Sequence, residues 1–219
     1  MHRSFSETIF LCYKACIGSG IDVGRAQDIS AAATLIGAYE NSFFARFPTL
    51  ITAPANHLRL AENTTSKTAQ FENISAAQNG SFLADCLQSK LYTQIQISLL
   101  DNAMLLAGMC LHLAPELHLT LTINNKLAAR FSGNRLFADI ACLMSEKAEF
   151  VTLEISDNTI AELAELAELA ELVELVPSHA LYIGGETWRE IEHLAARTYV
   201  AENEQSRIAG AGAGLTDND

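Results

Sequence analysis

Apolar residues recur at helical spacing near the start of the chain. Ser4 and Glu7 have the spacing of a capping box, and the helix that follows them ends near Gly18. Asp22 is placed to cap a second helix. We therefore expect residues 4–39 to form an antiparallel helical hairpin.

Alternating apolar and polar residues predict strands in the middle of the chain. Asn124-Asn125 is a two-residue turn that favours a hairpin between two of them. In chain order, the predicted segments are a strand at 94–99, a helix at 102–113, strands at 117–123 and 127–131, a helix at 136–144 and a strand at 150–155. This β-α-β-β-α-β order is that of the ferredoxin-like unit, so the predicted fold class is α+β.

Two other segments lack this order. From Asn41 to Gly80 the periodicity is lost, and Pro48, Pro54 and polar clusters predict loops. Residues 161–175 repeat Ala-Glu-Leu four times and end in Val-Glu-Leu, a composition that favours helix. Because three residues advance a helix by about 300°, the leucines wind around it instead of forming one stripe. We interpret the repeat as a solvated helix extension, in preference to a designed interaction helix.

The chain ends in an amphipathic helix around Trp188 and a glycine-rich tail. The predicted division is a helical hairpin (1–45), an irregular connector (46–90), an α+β sheet unit (91–156), a low-complexity Ala-Glu-Leu helix (157–177) and a C-terminal helix with the tail (178–219).

The glycines of the tail, Gly210, Gly212 and Gly214, occupy alternate positions, so the backbone can lie flat against another surface. Ser206, Arg207 and the glycine amides could also hold an anion. A hard cation on the terminal carboxylates is a further alternative. We favour docking on a partner over both kinds of ion site, while simple mobility of a chain end is an equally good interpretation.

Charge and cysteine usage limit the classes of partner. The chain has 219 residues, 49% of them hydrophobic, and a formal charge of −12, which argues against nucleic acid or an anionic membrane as a partner. Five cysteines lie scattered in apolar segments, as expected of reduced thiols in the cytoplasm. Cys12 and Cys16 are one helical turn apart, but no second ligand pair accompanies them. We expect both to pack in the core, and we predict no metal site.

Candidate catalytic residues occur in the last helix and in the tail that follows it. His193 has Arg197 one helical turn away and Tyr199 close behind. A histidine so placed could act as an acid or a base, with Arg197 and Arg207 holding an anionic substrate. No motif identifies a cofactor.

The C-terminal block resembles a bacterial family known as domain of unknown function 3726. A similar pattern occurs near the N-terminus, so the resemblance extends to both ends of the chain. The matching segments are 197–199, 204–207 and 210–219 at the C-terminal end, and 6–7 through Ala15, Gly18, Gly20 and 24–28 at the other. The resemblance implies family membership without implying an activity.

The helical hairpin is also similar to the N-terminus of the malate/L-lactate dehydrogenase family, which uses nicotinamide cofactors. That family has a Ser-His-Gly segment after the second helix, whereas residues 38–43 here read Ala-Tyr-Glu-Asn-Ser-Phe. No catalytic residue can therefore be transferred from that family.

Two functions follow as expectations. The first is an accessory or partner-binding subunit in bacterial small-molecule metabolism, attached to a protein partner or to a second copy through its tail. The alternative is an enzyme that acts on an anionic small molecule near the C-terminal helix and tail.

Overall fold

The computed structural model describes residues 2–54, 58–61, 64–132, 135–145, 147–156 and 172–198. They form an α+β fold in which helices pack against a mixed sheet. The helices are α1 (Phe5–Gly18), α2 (Val23–Tyr39), α3 (Phe47–Thr52), α4 (Ala76–Gln88), α5 (Ala103–Leu113), α6 (Ile140–Leu143) and α7 (Gly185–Ala196), with a 3-10 helix at Asn41–Ala45. The strands are β1 (His2–Arg3), β2 (Arg59–Leu60), β3 (Thr68–Ile74), β4 (Gln94–Leu100), β5 (His118–Ile123), β6 (Lys126–Ser132), β7 (Arg135–Ala138), β8 (Ala148–Ile155), β9 (Val173–Leu175) and β10 (Leu181–Tyr182).

The N-terminal helical hairpin is confirmed, with both predicted caps. The Ser4 hydroxyl accepts a hydrogen bond from the backbone N–H of Glu7 at 3.1 Å, and Asp22 accepts one from the N–H of Arg25. Helix α2 packs on α1 and also on α5, and α7 packs on α1 as well. At the α1–α7 crossing a Cβ on Gly18 would overlap the carbonyl group of Leu194, so the close approach requires glycine.

Helices α4 and α5 pack against each other and cover the apolar face of an eight-stranded sheet. The strand order is β2-β3-β4-β8-β5-β6-β7-β9, and β3–β4 is its parallel pair. A separate two-stranded ribbon joins β1 to β10. The predicted turn between β5 and β6 is confirmed, because Asn124 and Asn125 both have positive φ, at 49° and 64°.

The strands of the predicted unit are present, but their arrangement differs from a ferredoxin-like sheet. Strand β8, the last of the unit, lies between β4 and β5 and pairs antiparallel with both. In the ferredoxin-like arrangement the third strand takes that place. The predicted α+β class is confirmed. The order of elements along the chain did not predict the order of the strands in the sheet.

The predicted helix at 136–144 is wrong over its first half. Leu136 and Phe137 belong to β7, which pairs with β6 on one side and β9 on the other. Both side chains are buried because opposite faces of the strand are covered, Leu136 by the main core and Phe137 by Leu172. Adjacent buried apolar residues fit a helix and a two-sided strand equally, so the pattern misled the prediction.

The connector and the repeat also differ from expectation. The irregular connector contains α3, β3 and α4, and β3 lies beside β4 within the sheet. The end of the predicted Ala-Glu-Leu helix is strand β9, in which Glu174 pairs with Arg135 of β7 at 2.7 Å. Residues 157–171 lie outside the described part of the chain.

Candidate functional site

The predicted catalytic histidine lies on the solvent face of α7. Trp188 and Ile191 bury the opposite face of this helix, which leaves His193 exposed in the last turn. Arg197 is the C-cap residue, one turn further on, and it is also exposed. Neither side chain makes a hydrogen bond or an ion pair with another described residue. The helix therefore brings His193 and Arg197 to one surface, open to solvent.

Helix α7 is fixed by contacts around its tryptophan. The indole N–H of Trp188 donates to a carboxylate oxygen of Glu192 at 2.7 Å. The guanidinium of Arg3 lies 4.0 Å from the ring centre, an attractive cation–π arrangement. These contacts hold the helix that carries His193, but they supply no group that orients the imidazole ring.

The remaining predicted site residues are Tyr199, Ser206, Arg207, Gly210, Gly212 and Gly214. All of them lie outside the described residues, as does the rest of the glycine-rich tail. The catalytic and anion-binding roles predicted for them stay predictions.

A second surface was not predicted, namely an apolar groove between α1 and α2 with a volume of about 390 Å³. Phe10 is 59% exposed and Ile9 is 39% exposed, although both are large apolar residues. None of the residues that line the groove is charged. They are Ser6, Ile9, Phe10, Tyr13, Gln27 and Ser30.

Polar groups surround the apolar residues of the groove. The ammonium group of Lys14 lies 5.7 Å from the centre of the Phe10 ring and forms part of its surroundings. The hydroxyl of Ser30 is engaged, because it donates to the carbonyl of Gln27 at 2.9 Å. The side chains of Gln27 and Tyr13 supply polar groups among the lining.

The sequence contained one signal for this groove. Neighbouring residues on a helix point about 100° apart, so Ile9 and Phe10 cannot both face a single narrow core stripe. An adjacent apolar pair on a capped amphipathic helix would have indicated a second apolar surface.

The end of α7 lies at the C-terminal end of α1. Arg197, the C-cap residue of α7, is close to Gly18, the last residue of α1. From Gly18 back to Phe10 is eight residues of helix, or about 12 Å along the axis at 1.5 Å per residue.

Cys12 and Cys16 are both fully buried, which confirms their predicted place in the core. Burial, and secondarily the neighbouring thiol of Cys16, raises the pKa of Cys12. Burial alone raises the pKa of Cys16 to about 12. Across the described ranges, no three His, Cys, Asp or Glu residues are grouped so that they could hold a metal ion. Among the described helices, none has the length and apolarity needed to cross a membrane.

Comparison of the sequence with models of known protein families gives no match. Comparison with curated proteins gives none either. Among solved structures, the chain is similar to malate dehydrogenase from Entamoeba histolytica, with 14% identity and a TM-score of 0.43. The match covers 63% of this chain and 45% of that protein, so this chain spans less than half of its length. A similarity at this level supports no functional argument.

Proposed function

We propose that this chain is an accessory or partner-binding subunit of small-molecule metabolism in the bacterial cytoplasm, and a member of the domain of unknown function 3726 family. The observation that carries the proposal is the groove between α1 and α2. A contiguous exposed apolar surface of this kind is characteristic of protein interaction sites.

Energetic considerations support a role in association. Phe10 and Ile9 stay largely in water in the isolated chain, at 59% and 39% exposure. Fully burying a phenylalanine side chain contributes about 2 kcal/mol. A partner that covers both residues would recover that free energy without having to desolvate a charge, because no lining residue is charged.

The partner we propose is residues 199–219 of a second copy of this chain. That segment follows α7, whose C-cap residue Arg197 is close to Gly18 of α1, and it carries two large aliphatic residues, Ile208 and Leu215, on either side of its alternating glycines. Glycine lets a backbone approach a surface closely, and the aliphatic side chains match the lining of the groove. Exchange of tails between two copies would give a symmetric dimer.

Mass in solution tests the proposal. We expect the full chain to be a dimer and a chain ending at Thr198 to be a monomer. Phe10→Glu should also give monomers, because it places a charge in the apolar groove. Leu91→Glu is the matched control, since Leu91 is similarly exposed at 57% and lies outside the groove. A full chain that is monomeric at every concentration would show that the tail does not join two copies.

A heterologous partner is tested separately by purification from the native host. We expect deletion of residues 206–219 to remove the partners that co-purify with the intact protein. Recovery of the same partners in equal amounts would exclude a docking role for the tail.

The alternative enzyme function rests on one observation, the exposure of His193 and Arg197 on one face of α7. In this proposal His193 acts as acid or base with Tyr199 nearby, and Arg197 and Arg207 hold an anionic substrate. Thermal-shift screening against carboxylate and phosphate metabolites should find ligands whose effect disappears in Arg207→Ala. A protein that responds to none of them would count against this alternative.

A further inference from the structure

A separate concave region lies where the parallel strands β3 and β4 end and helices α4 and α5 begin. Asp101 and Asn102 form the connection from β4 to α5. Asn102 is 2% exposed, and its side-chain oxygen accepts a hydrogen bond from the N–H of Leu105 at 2.7 Å. This cap fixes the start of α5 and with it the position of the neighbouring Asp101.

Asp101 caps the adjacent helix as well. A carboxylate oxygen of Asp101 accepts a hydrogen bond from the N–H of Ala76, the first residue of α4, at 2.7 Å. Ser75 occupies the N-cap position, yet its own hydroxyl makes no capping bond. The Ser75 side chain is buried at 1% exposure, and its hydroxyl lies beside the carboxyl group of Asp101. Asp101 therefore supplies the side-chain cap at the start of α4.

Burial dominates the ionisation of Asp101. It raises the pKa of the carboxyl group, even though the N–H of Ala76 and the nearby Ser75 hydroxyl both act to lower it. A carboxyl group whose pKa is raised at the wall of a cleft is a common feature of ligand-binding and catalytic sites. In its neutral form the group can donate a hydrogen bond as well as accept one.

Asp101 lines a cleft of about 360 Å³, which is large enough for a small metabolite. Arg46 also lines the cleft, from the junction between the 3-10 helix and α3. The Arg46 side chain is half-buried and makes no hydrogen bond or ion pair with any described residue. The rest of the lining is mainly small or apolar and consists of Ala45, Thr49, Leu50, Ala53 and Asn102.

We propose that this cleft binds a small carboxylate, with the guanidinium of Arg46 holding the carboxylate group and the carboxyl group of Asp101 donating a hydrogen bond to it. The planar guanidinium fork matches a carboxylate in a bidentate arrangement. Leu50, Thr49 and Ala53 leave room for a short apolar substituent on the ligand. The arrangement is independent of the groove on α1 and of His193.

The electrostatic surroundings of Asp101 make the proposal sensitive to pH. Asp101 also lines a second, smaller cleft of about 100 Å³, in which Lys147 is exposed. The charged groups that line the two clefts around Asp101 are therefore Arg46 and Lys147. Both stay cationic at neutral and acidic pH, so Asp101 is the charged group of this lining whose charge can change as its raised pKa is crossed.

The test uses isobutyrate as the ligand and the full chain labelled with nitrogen-15. We expect saturable shifts of the backbone amide signals of Arg46, Thr49 and Asn102 during the titration. Isobutyramide, the neutral isostere, should produce none, because it offers no charge to the guanidinium. Loss of a charge-assisted contact in Arg46→Ala should weaken binding by about tenfold or more. Arg59→Ala is the matched control and should bind like the wild type, because Arg59 is exposed and lies outside the cleft.

Two further variants separate a failed fold from a failed site. Thr49 is exposed, so Thr49→Glu should leave the fold intact while its carboxylate occupies the cleft and blocks isobutyrate. In the wild type, affinity should fall as pH rises through the pKa of Asp101, because the ligand binds the neutral form. Asp101→Asn keeps a neutral donor at every pH, so its affinity should not vary with pH over the range in which isobutyrate itself is fully ionised.

Three results would overturn the proposal. The first is the absence of saturable shifts, which shows that the cleft takes no carboxylate. The second is equal binding by the wild type and Arg46→Ala, or loss of binding in Arg59→Ala, either of which would show that the carboxylate binds elsewhere. The third is a pH dependence of binding in Asp101→Asn equal to that of the wild type, which would show that Asp101 does not contact the ligand. None of these results affects the dimer test, which uses mass in solution and Phe10→Glu.

Discussion

The groove on α1 and the cleft beside Asp101 are close in volume, at about 390 Å³ and about 360 Å³, and opposite in chemistry. Uncharged residues line the groove, and its largest apolar side chains are in water. The cleft has an unpaired guanidinium from Arg46 and a carboxyl group whose pKa is raised by burial. The comparison shows that volume alone does not assign a role, because the first surface suits a protein segment and the second a small anion.

The two regions share a supporting contact, and breaking it should produce the largest effect. A Cβ at Gly108 of α5 would lie 2.6 Å from Ile36 Cγ1 and 2.9 Å from the carbonyl oxygen of Ala32, both in α2. Gly108→Ala should therefore lower the free energy of unfolding by about 3 kcal/mol, as overpacking does. Chemical denaturation measures this loss. A loss below about 0.5 kcal/mol would mean that α2 and α5 separate easily and that the regions are mechanically independent.

Removing the α5 cap should act mainly on the cleft. Asn102→Ala leaves the N–H of Leu105 unpaired at a buried helix start, at a cost of about 2 kcal/mol. We also expect weaker isobutyrate binding, because Asn102 positions Asp101. Amide signals of Ile9 and Phe10 should stay unchanged in the same spectra. Shifts at both regions would contradict their separation.

Removing the α1 cap should act mainly on the groove. Ser4→Ala deletes the hydroxyl that accepts from the N–H of Glu7, at a cost of about 1 kcal/mol. Hydrogen exchange should become faster in the first turn of α1. Isobutyrate affinity is the control and should be the same as in the wild type.

The smallest effect is the pH dependence of stability that Asp101 contributes. Its pKa is raised in the folded state, so the folded chain binds more protons than the unfolded chain between the two pKa values. Asp101 therefore lowers stability as pH rises through that interval, opposite in sign to Asp22 and Asp139, whose pKa values are lowered. Asp101→Asn should be relatively more stable above that interval than below it. Denaturation of both proteins at several pH values measures the difference.

Local signals in the sequence predicted the parts of the fold that depend on nearby residues. The caps at Ser4 and Asp22 and the Asn124-Asn125 turn involve groups within a few positions of each other, and all three are confirmed. Strand β7 was mistaken for helix because both of its faces are covered, by the main core and by Leu172, while β6 and β9 pair with its two edges. Pairing with distant strands overrides a local apolar pattern.

The site at Asp101 could not be predicted for a similar reason. The cap on Ala76 comes from a residue 25 positions away, and Arg46 reaches the cleft from the segment that had no periodicity. The predicted site included His193 and Arg197, which share a helix face because they are four residues apart. Spacing within one helix can be inferred from the sequence, whereas the meeting of distant segments in one cleft requires the fold.

The most direct test of two separate surfaces is an isobutyrate titration of the Phe10→Glu variant, followed at the amide signal of Arg46. The groove is disabled in this variant and the cleft is untouched. We predict a saturable shift with the same affinity as in the wild type, from a protein that has become monomeric. Absence of that shift, or an affinity that falls together with dimerisation, would show that the groove and the cleft do not function as separate sites.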